Sequence, residues 1–317
     1  MTAPHSSTPR HFLDIKDLTG DEIRAILNMA SRVKAKQDGR RFPLHPDSPL
    51  SGRALGLMMA RPSTRTRVSF EVGMKQLGGN VSVLSPSDMQ LGRGESIADT
   101  ARVLSRFLDV IVLRTGEDES LRELARWSSV PVINGLTPIS HPIQILADVM
   151  TFEEHRGPIE GRTIAWIGDG NNVATSLIEA SALLGFHLRL ATPDEFDPSE
   201  EAIVWARSNG ANIITTRDPH EAAEGADAVI TDTWVSMGDD DAEERQRAFR
   251  PYQITEELME NAASDALFMH CLPAHVGEEV TEGVFESDAS VVFDEAENRL
   301  HSQKGLLLWC FGFDEIF

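Results

Sequence analysis

Three hydroxyls and three guanidinium groups fall within seven residues in Arg61-Pro62-Ser63-Thr64-Arg65-Thr66-Arg67. The run follows an apolar stretch of strand length and precedes an amphipathic segment, so it reads as a strand-to-helix turn. Free N–H groups and the positive end of the helix dipole favour an anion there, and arginine adds paired hydrogen bonds to phosphate oxygens. A capped helix start with solvated arginines also fits a turn of this kind, but a cap accounts for one hydroxyl and not for this density. Phosphate binding is the expected chemistry. Arg114, directly behind the apolar run 110–113, is a second candidate for the same anion, although a lone arginine says little.

Further groups recur at equivalent places. Ser140-His141-Pro142-Ile143-Gln144 opens another helix pattern with proline at the first helical position. His141 and Gln144 can donate hydrogen bonds to a carbonyl oxygen and so stabilise a developing oxyanion; a capping histidine beside an exposed glutamine explains them equally well. Gly168-Asp169-Gly170-Asn171-Asn172-Val173 looks like a dinucleotide fingerprint, yet Val173 replaces its third glycine and the next apolar run ends at Ala191-Thr192 with no acid for a ribose. A strand-to-helix turn presenting an asparagine amide is expected instead, and an NAD-dependent dehydrogenase is disfavoured. Asp232 follows the run 228–231; a carboxylate there can hold an ammonium group or cap a turn. Cys271, in His270-Cys271-Leu272-Pro273, lacks the His/Asn context of a nucleophile, and an inert buried thiol is the plainer reading. Arg299 lies in the second turn of a helix expected over residues 295–308, with Asp294 as its cap. His141, His270 and His275 show no H-x-x-x-H or H-E-x-x-H spacing, so no metal site is expected.

Most of these groups follow a short apolar run. Such runs occupy residues 54–60 (ALGLMMA), 110–113, 163–167, 187–191, 228–231, 266–269 and 290–293, as strands buried on both faces of a parallel sheet do. Amphipathic patterns at 21–36, 66–77, 96–108, 121–127, 142–154 and 175–184 predict helices around them. In open α/β sheets ligands bind beyond the carboxyl ends of the strands, which is where these candidates sit. The fold class is therefore α/β. The 317 residues suit two domains, with a junction near residue 150. The charged run 239–250 reads as a solvated loop.

The net charge of −21 argues against nucleic acid or an anionic membrane as partner. No apolar run is long enough for a membrane helix. The polar first residues lack a secretory or transit pattern, and two cysteines suggest reduced thiols, so a cytoplasmic enzyme is expected. Five lysines against 24 arginines on an acidic chain suggest, as a hypothesis, adaptation to a salty cytosol. A melting temperature that does not rise with added KCl counts against it.

Together, S-T-R-T-R at 63–67, H-P-I-Q at 141–144, D-x-x-x-S-M-G at 232–238 and H-C-L-P at 270–273 resemble the transcarbamylases. The last two blocks, with Gln90-Leu91-Gly92-Arg93-Gly94-Glu95-Ser96, Gly168-Asp169-Gly170-Asn171-Asn172 and Asp294-Glu295-Ala296-Glu297-Asn298-Arg299, resemble the ornithine carbamoyltransferase branch in particular, in order from about Phe12 onward. The resemblance implies two three-layer α/β domains, each with a central parallel sheet. Residues 1–11 would be a flexible tail, 12–148 the carbamoyl-phosphate domain and 149–298 the ornithine domain. Residues 299–317 would be a C-terminal helix returning to the first domain. It implies a homotrimer, or a multiple of trimers, acting on carbamoyl phosphate and ornithine without cofactor. Ser63, Thr64, Arg65, Thr66, Arg114 and the neighbouring subunit's Gln90 would hold carbamoyl phosphate. His141, Gln144, Cys271, Leu272 and Arg299 would meet its carbamoyl group, and Asn172, Asp232, Ser236 and Met237 would bind ornithine. Arg65, Arg114, His141, Cys271 and Arg299 would be catalytic. The family often has Phe-Glu-Lys before its S-T-R-T-R, where Met59-Ala60-Arg61 stands here. Putrescine, acetylornithine and aspartate are rival second substrates, and a non-catalytic metabolite-binding homologue is a rival of another class.

Overall fold

The computed structural model describes residues 9–36, 47–61, 63–85, 94–235 and 241–313. The chain forms two compact units, residues 1–138 with 299–317 and residues 139–298.

The first unit starts with α1 (Gly20–Ala35), whose entry is set by a capping box: Thr19 accepts the Glu22 N–H while Glu22 accepts the Thr19 N–H. Its apolar face, Ile23, Ile26, Leu27 and Ala30, is buried. Then come β1 (Ala54–Met59), α2 (Thr64–Gln76), β2 (Asn80–Leu84), α3 (Ile97–Leu104), β3 (Val110–Arg114), α4 (Asp118–Trp127) and β4 (Val132–Leu136). The four strands are parallel in the order β2-β1-β3-β4. The order reverses between β1 and β3, so their carboxyl ends open side by side, with Met59 opposite Arg114.

The second unit contains α5 (Pro142–Arg156), β5 (Thr163–Ile167), α6 (Asn172–Leu184), β6 (His187–Ala191), α7 (Glu200–Ser208), β7 (Ile213–Thr216), α8 (Pro219–Ala223) and β8 (Ala228–Thr231). It continues with α9 (Ala242–Phe249), α10 (Glu256–Met259), β9 (Leu267–His270) and α11 (Glu282–Phe285). Its parallel sheet runs β7-β6-β5-β8-β9, with the reversal between β5 and β8. A core of Ala165, Ile167, Val229, Phe268, Ile254 and their neighbours packs against the sheet. The last helix, α12 (Val292–Cys310), begins in the second unit and belongs to the first from Arg299 onward. A Cβ on its Gly305 would lie 2.4 Å from the Ile26 carbonyl oxygen and 2.8 Å from the Ala30 nitrogen, so only glycine lets it approach α1 this closely.

Both sheets are parallel α/β sheets, as the apolar runs indicate, but several local expectations change. Residues 290–293 are not a strand: Ser290 makes one bridge to Phe268 and α12 starts at Val292. Asp294 is consequently inside α12 and not its cap; it faces His155 Nε2 at 2.9 Å. Most of the charged run is helical, as α9. β2, β4 and β7 were not signalled by long apolar runs; NVSVL alternates, VINGL contains glycine, and IITT is an edge strand. Arg114 and His270 are the last residues of β3 and β9 and do not follow them. The first unit runs to Pro138, and α5 lies whole in the second unit. Residues 9–11, expected to be tail, are anchored: Val132 N–H donates to His11 Nδ1 at 3.1 Å and Arg10 to the Trp309 carbonyl at 3.3 Å.

Candidate active site

In the first unit, β1 leads through its turn into α2. Ser63 is the N-cap of α2: its Oγ accepts the Thr66 N–H at 3.3 Å and donates to Thr66 Oγ1 at 3.2 Å. Thr64, at the first helical position, stays exposed. No acidic residue stands in the first turn of α2, so nothing on the helix itself offsets the positive end of its dipole. Arg65 is half-buried in that turn, with no carboxylate partner among the described residues. Arg299 is buried, and its Nη2 donates to Thr66 Oγ1 at 3.3 Å. Arg114 stands on the adjoining strand, where its carbonyl accepts the Ala60 N–H at 2.9 Å. Arg61 is exposed and reaches toward the turn after β3, where a Cβ on Gly116 would lie 3.3 Å from its Nε. The N-terminus of α2 thus carries Arg65 in its own first turn and meets Arg299 of α12 at Thr66, while Arg114 ends the strand next to β1, an arrangement suited to a phosphate.

In the second unit, the turns after β5, β8 and β9 converge on Asp232. Its Oδ1 accepts the Cys271 thiol at 2.9 Å and the Thr233 N–H at 2.8 Å, and its Oδ2 accepts from Asn171 Nδ2 at 2.8 Å. All three donors are neutral, and no lysine or arginine pairs with Asp232 among the described residues. Burial first, and then Asp232, push the Cys271 thiol well above its ordinary range, so it is a neutral hydrogen-bond donor and not a thiolate. Leu272 takes φ +56°, a left-handed backbone unusual for a branched side chain.

Asn171 is a residue the sequence reading passed over in favour of Asn172. It caps α6 through Oδ1, leaving its amide for Asp232, while Asn172 occupies the first turn, half-buried. An asparagine just ahead of a helix pattern is the signal that could have found it. Gly170 is needed for packing: a Cβ there would lie 2.2 Å from the Pro198 nitrogen. Neighbouring Asp169 is ion-paired with Arg245 of α9, which also donates to the Trp234 carbonyl and lies over Phe196 at 4.6 Å. Arg245 therefore ties the turn after β5 to the turn that carries Asp232.

His141 is the N-cap residue of α5 without a side-chain cap; its N–H donates to Ser176 Oγ at 2.9 Å and its ring is buried. The Gln144 amide nitrogen donates to Asp148 at 2.7 Å and Glu295 at 2.9 Å, so both amide hydrogens are directed at carboxylates. Glu295, also missed from sequence, accepts the His270 N–H with its other oxygen at 2.9 Å and holds the end of β9. Gln90, Ser236 and Met237 lie outside the described residues.

Though scattered in sequence, two histidines stand in clusters with other metal-ligand types: Asp232, His270 and Cys271, and His275, Glu278 and Glu279. In the first cluster each side chain is already engaged: the Cys271 thiol donates to Asp232, and His270 faces Glu279 with Nε2 and accepts the Leu272 N–H with Nδ1 at 2.9 Å.

Comparison with known proteins gives the same division of labour. Residues 10–154 match the family model described as aspartate/ornithine carbamoyltransferase, carbamoyl-P binding domain, and residues 160–310 its Asp/Orn binding domain. The chain is 57% identical over 307 residues to an ornithine carbamoyltransferase of Nitrobacter winogradskyi, covering 97% of this chain and 99% of that one. Among solved structures, the ornithine carbamoyltransferase from Pyrococcus furiosus superposes with a TM-score of 0.89 at 47% identity, covering 95% of this chain and 96% of that chain. That from Burkholderia thailandensis gives 0.85 at 45% identity, with coverages of 95% and 98%.

Proposed function

The chain belongs to the aspartate/ornithine carbamoyltransferase family, and from that premise we propose that it transfers the carbamoyl group of carbamoyl phosphate to the δ-amine of L-ornithine, giving L-citrulline and phosphate in arginine metabolism. The observation that carries the choice of ornithine is Asp232. A buried carboxylate whose partners are all neutral attracts an ammonium group and repels the second carboxylate of aspartate.

In this reading Ser63, Thr64, Arg65, Thr66 and Arg114 hold the phosphate, and Arg299 and His141 face the carbamoyl oxygen. Asn172 and Asp232, with Ser236 and Met237, bind the amino-acid head group. The neutral δ-amine attacks the carbamoyl carbon, Arg65, Arg114, Arg299 and His141 stabilise the charge of the tetrahedral intermediate, and phosphate departs with the amine proton. Cys271 and Leu272 line the place of attack, the thiol as a neutral neighbour. Gln144 also meets the carbamoyl group, its amide nitrogen held by Glu295 and Asp148. Holding two substrates in line supplies about 7–11 kcal/mol without a metal or organic cofactor.

Two finer features belong to the same proposal. The chain assembles as a homotrimer in which Gln90 reaches the neighbouring subunit's phosphate; light scattering at three times 34.9 kDa is the expected result. It works in a cytoplasm whose salt screens its charge, so its melting temperature rises with KCl. No helix among the described residues is long and apolar enough to cross a membrane. The deciding experiment is a colorimetric ureido-product assay with carbamoyl phosphate and ornithine, putrescine, acetylornithine or aspartate, in dilute buffer and in molar KCl. Product from ornithine alone is expected. Product from another amine overturns the head-group assignment, and none from folded protein favours a non-catalytic binder.

A further inference from the structure

Glu279 lies in the segment after β9 and is fully buried. Its Oε1 accepts the His275 N–H and faces His270 Nε2 at 3.1 Å. His270 Nδ1 accepts the Leu272 N–H at 2.9 Å, which puts the ring's proton on Nε2 and leaves the ring neutral. Glu279 Oε2, in contrast, is buried with no hydrogen-bond partner among the described residues. A buried carboxylate that receives only neutral hydrogen bonds on one oxygen and none on the other calls for a positive charge. Two further ligand atoms border that oxygen. His275 Nδ1 is 3.9 Å from Glu279 Oε2 and 3.8 Å from Glu278 Oε2, and the three residues can each present one ligand atom within 4.8 Å of the others. Around a metal with bonds of about 2.0–2.2 Å, neighbouring ligand atoms are roughly 3.0–3.5 Å apart. The two histidine–carboxylate distances therefore need to close by less than about 1 Å, and the widest pair of the set by at most about 1–2 Å. The His275 and Glu278 side chains are 45% and 39% exposed, which leaves them free to make that small rotation and leaves water access to the remaining coordination positions.

We propose that His275, Glu278 and the unpartnered oxygen of Glu279 form a binding site for a divalent first-row metal cation. One imidazole and two carboxylates suit Mn²⁺ or Zn²⁺. The cation neutralises Glu279 and ties His275 back onto it. Because the other Glu279 oxygen meets His270, the metal braces the segment that carries Cys271 and Leu272. The site is independent of the reaction proposed above.

The test uses Mn²⁺ alone, whose preference for oxygen and nitrogen ligands keeps it off the Cys271 thiol. Full-length protein freed of metal is titrated with Mn²⁺ in molar KCl, which suppresses loose binding to the acidic surface, and free Mn²⁺ is read by electron paramagnetic resonance. One Mn²⁺ per chain is expected, with a raised melting temperature. Affinity falls at least roughly tenfold in His275→Ala and in Glu278→Gln, both changes at partly exposed positions that the fold tolerates, and is kept in Cys271→Ser. Absence of saturable binding overturns the site. Binding that survives both His275→Ala and Glu278→Gln overturns it too.

Discussion

Replacing Asp232 by asparagine is expected to weaken the use of ornithine by one to two orders of magnitude and to leave carbamoyl phosphate binding unchanged. The carboxylate is 9% exposed, and its donors are the Cys271 thiol, the Thr233 N–H and the Asn171 amide, all neutral. Its charge is therefore available to a substrate ammonium. A hydrogen bond to a charged group contributes about 1.5–3 kcal/mol. At about 1.4 kcal/mol per factor of ten, its loss raises KM for ornithine by roughly 10- to 150-fold. The asparagine fills the same volume but offers one acceptor oxygen in place of two, so its own amide must face a donor, either Asn171 Nδ2 or the Cys271–Thr233 pair. The assay is ureido-product formation against ornithine at saturating carbamoyl phosphate. A second readout follows Cys271 through its rate of alkylation with pH. Burial and then Asp232 hold that thiol up, so removing the carboxylate brings it down and speeds alkylation at any pH below its titration. A kcat/KM for ornithine within about threefold of the parent, under about 0.7 kcal/mol, together with unchanged thiol reactivity, would refute the reasoning.

Other consequences are equally direct. Arg65→Ala removes a guanidinium from the first turn of α2 and should lower kcat by about 10²–10³, the usual cost of one oxyanion-type donor; near-normal turnover in the assay would sink the phosphate assignment. Gly305→Ala places a Cβ 2.4 Å from the Ile26 carbonyl oxygen, and backbone cannot yield as a side chain does, so a loss of at least about 1–3 kcal/mol is expected as a lower urea midpoint at unchanged slope. His301 is pushed down to about 3, by burial first and then by Lys304 and Lys34. The unfolded histidine titrates near its ordinary value, so the stability contributed by the neutral ring is complete above about pH 6.5 and declines by about 1.4 kcal/mol per unit as pH falls toward 3. Urea midpoints between pH 7 and pH 5 should therefore fall less steeply in His301→Asn than in the parent.

The residues around Ser63 were legible in the sequence because their chemistry is local. An apolar strand, a turn rich in hydroxyls and arginines, and a helix follow one another along the chain, and the N-terminal N–H groups of α2 belong to that same stretch. The parallel α/β class was legible for a similar reason: runs apolar on both faces leave few other ways to be buried. The short run at 290–293 shows the limit of this logic. Four apolar or small residues suit a buried strand and a helix start equally, and the single bridge at Ser290 shows that sheet pairing ends there. The charged run was misread because α9 is held by Arg245, whose partners Asp169 and Phe196 are remote in sequence.

What only the tertiary structure decided is which groups meet. Asp232 joins Cys271 and Asn171 across 39 and 61 residues because β8 lies between β5 and β9 in the sheet, so the turns after these strands open side by side. Glu295 joins Gln144 and the His270 N–H, which lie far from it in sequence. Residue types and spacing determine which chemistry is available. Strand order, which depends on how distant apolar surfaces pack, determines which polar groups share a low-dielectric space and what charge each can carry there.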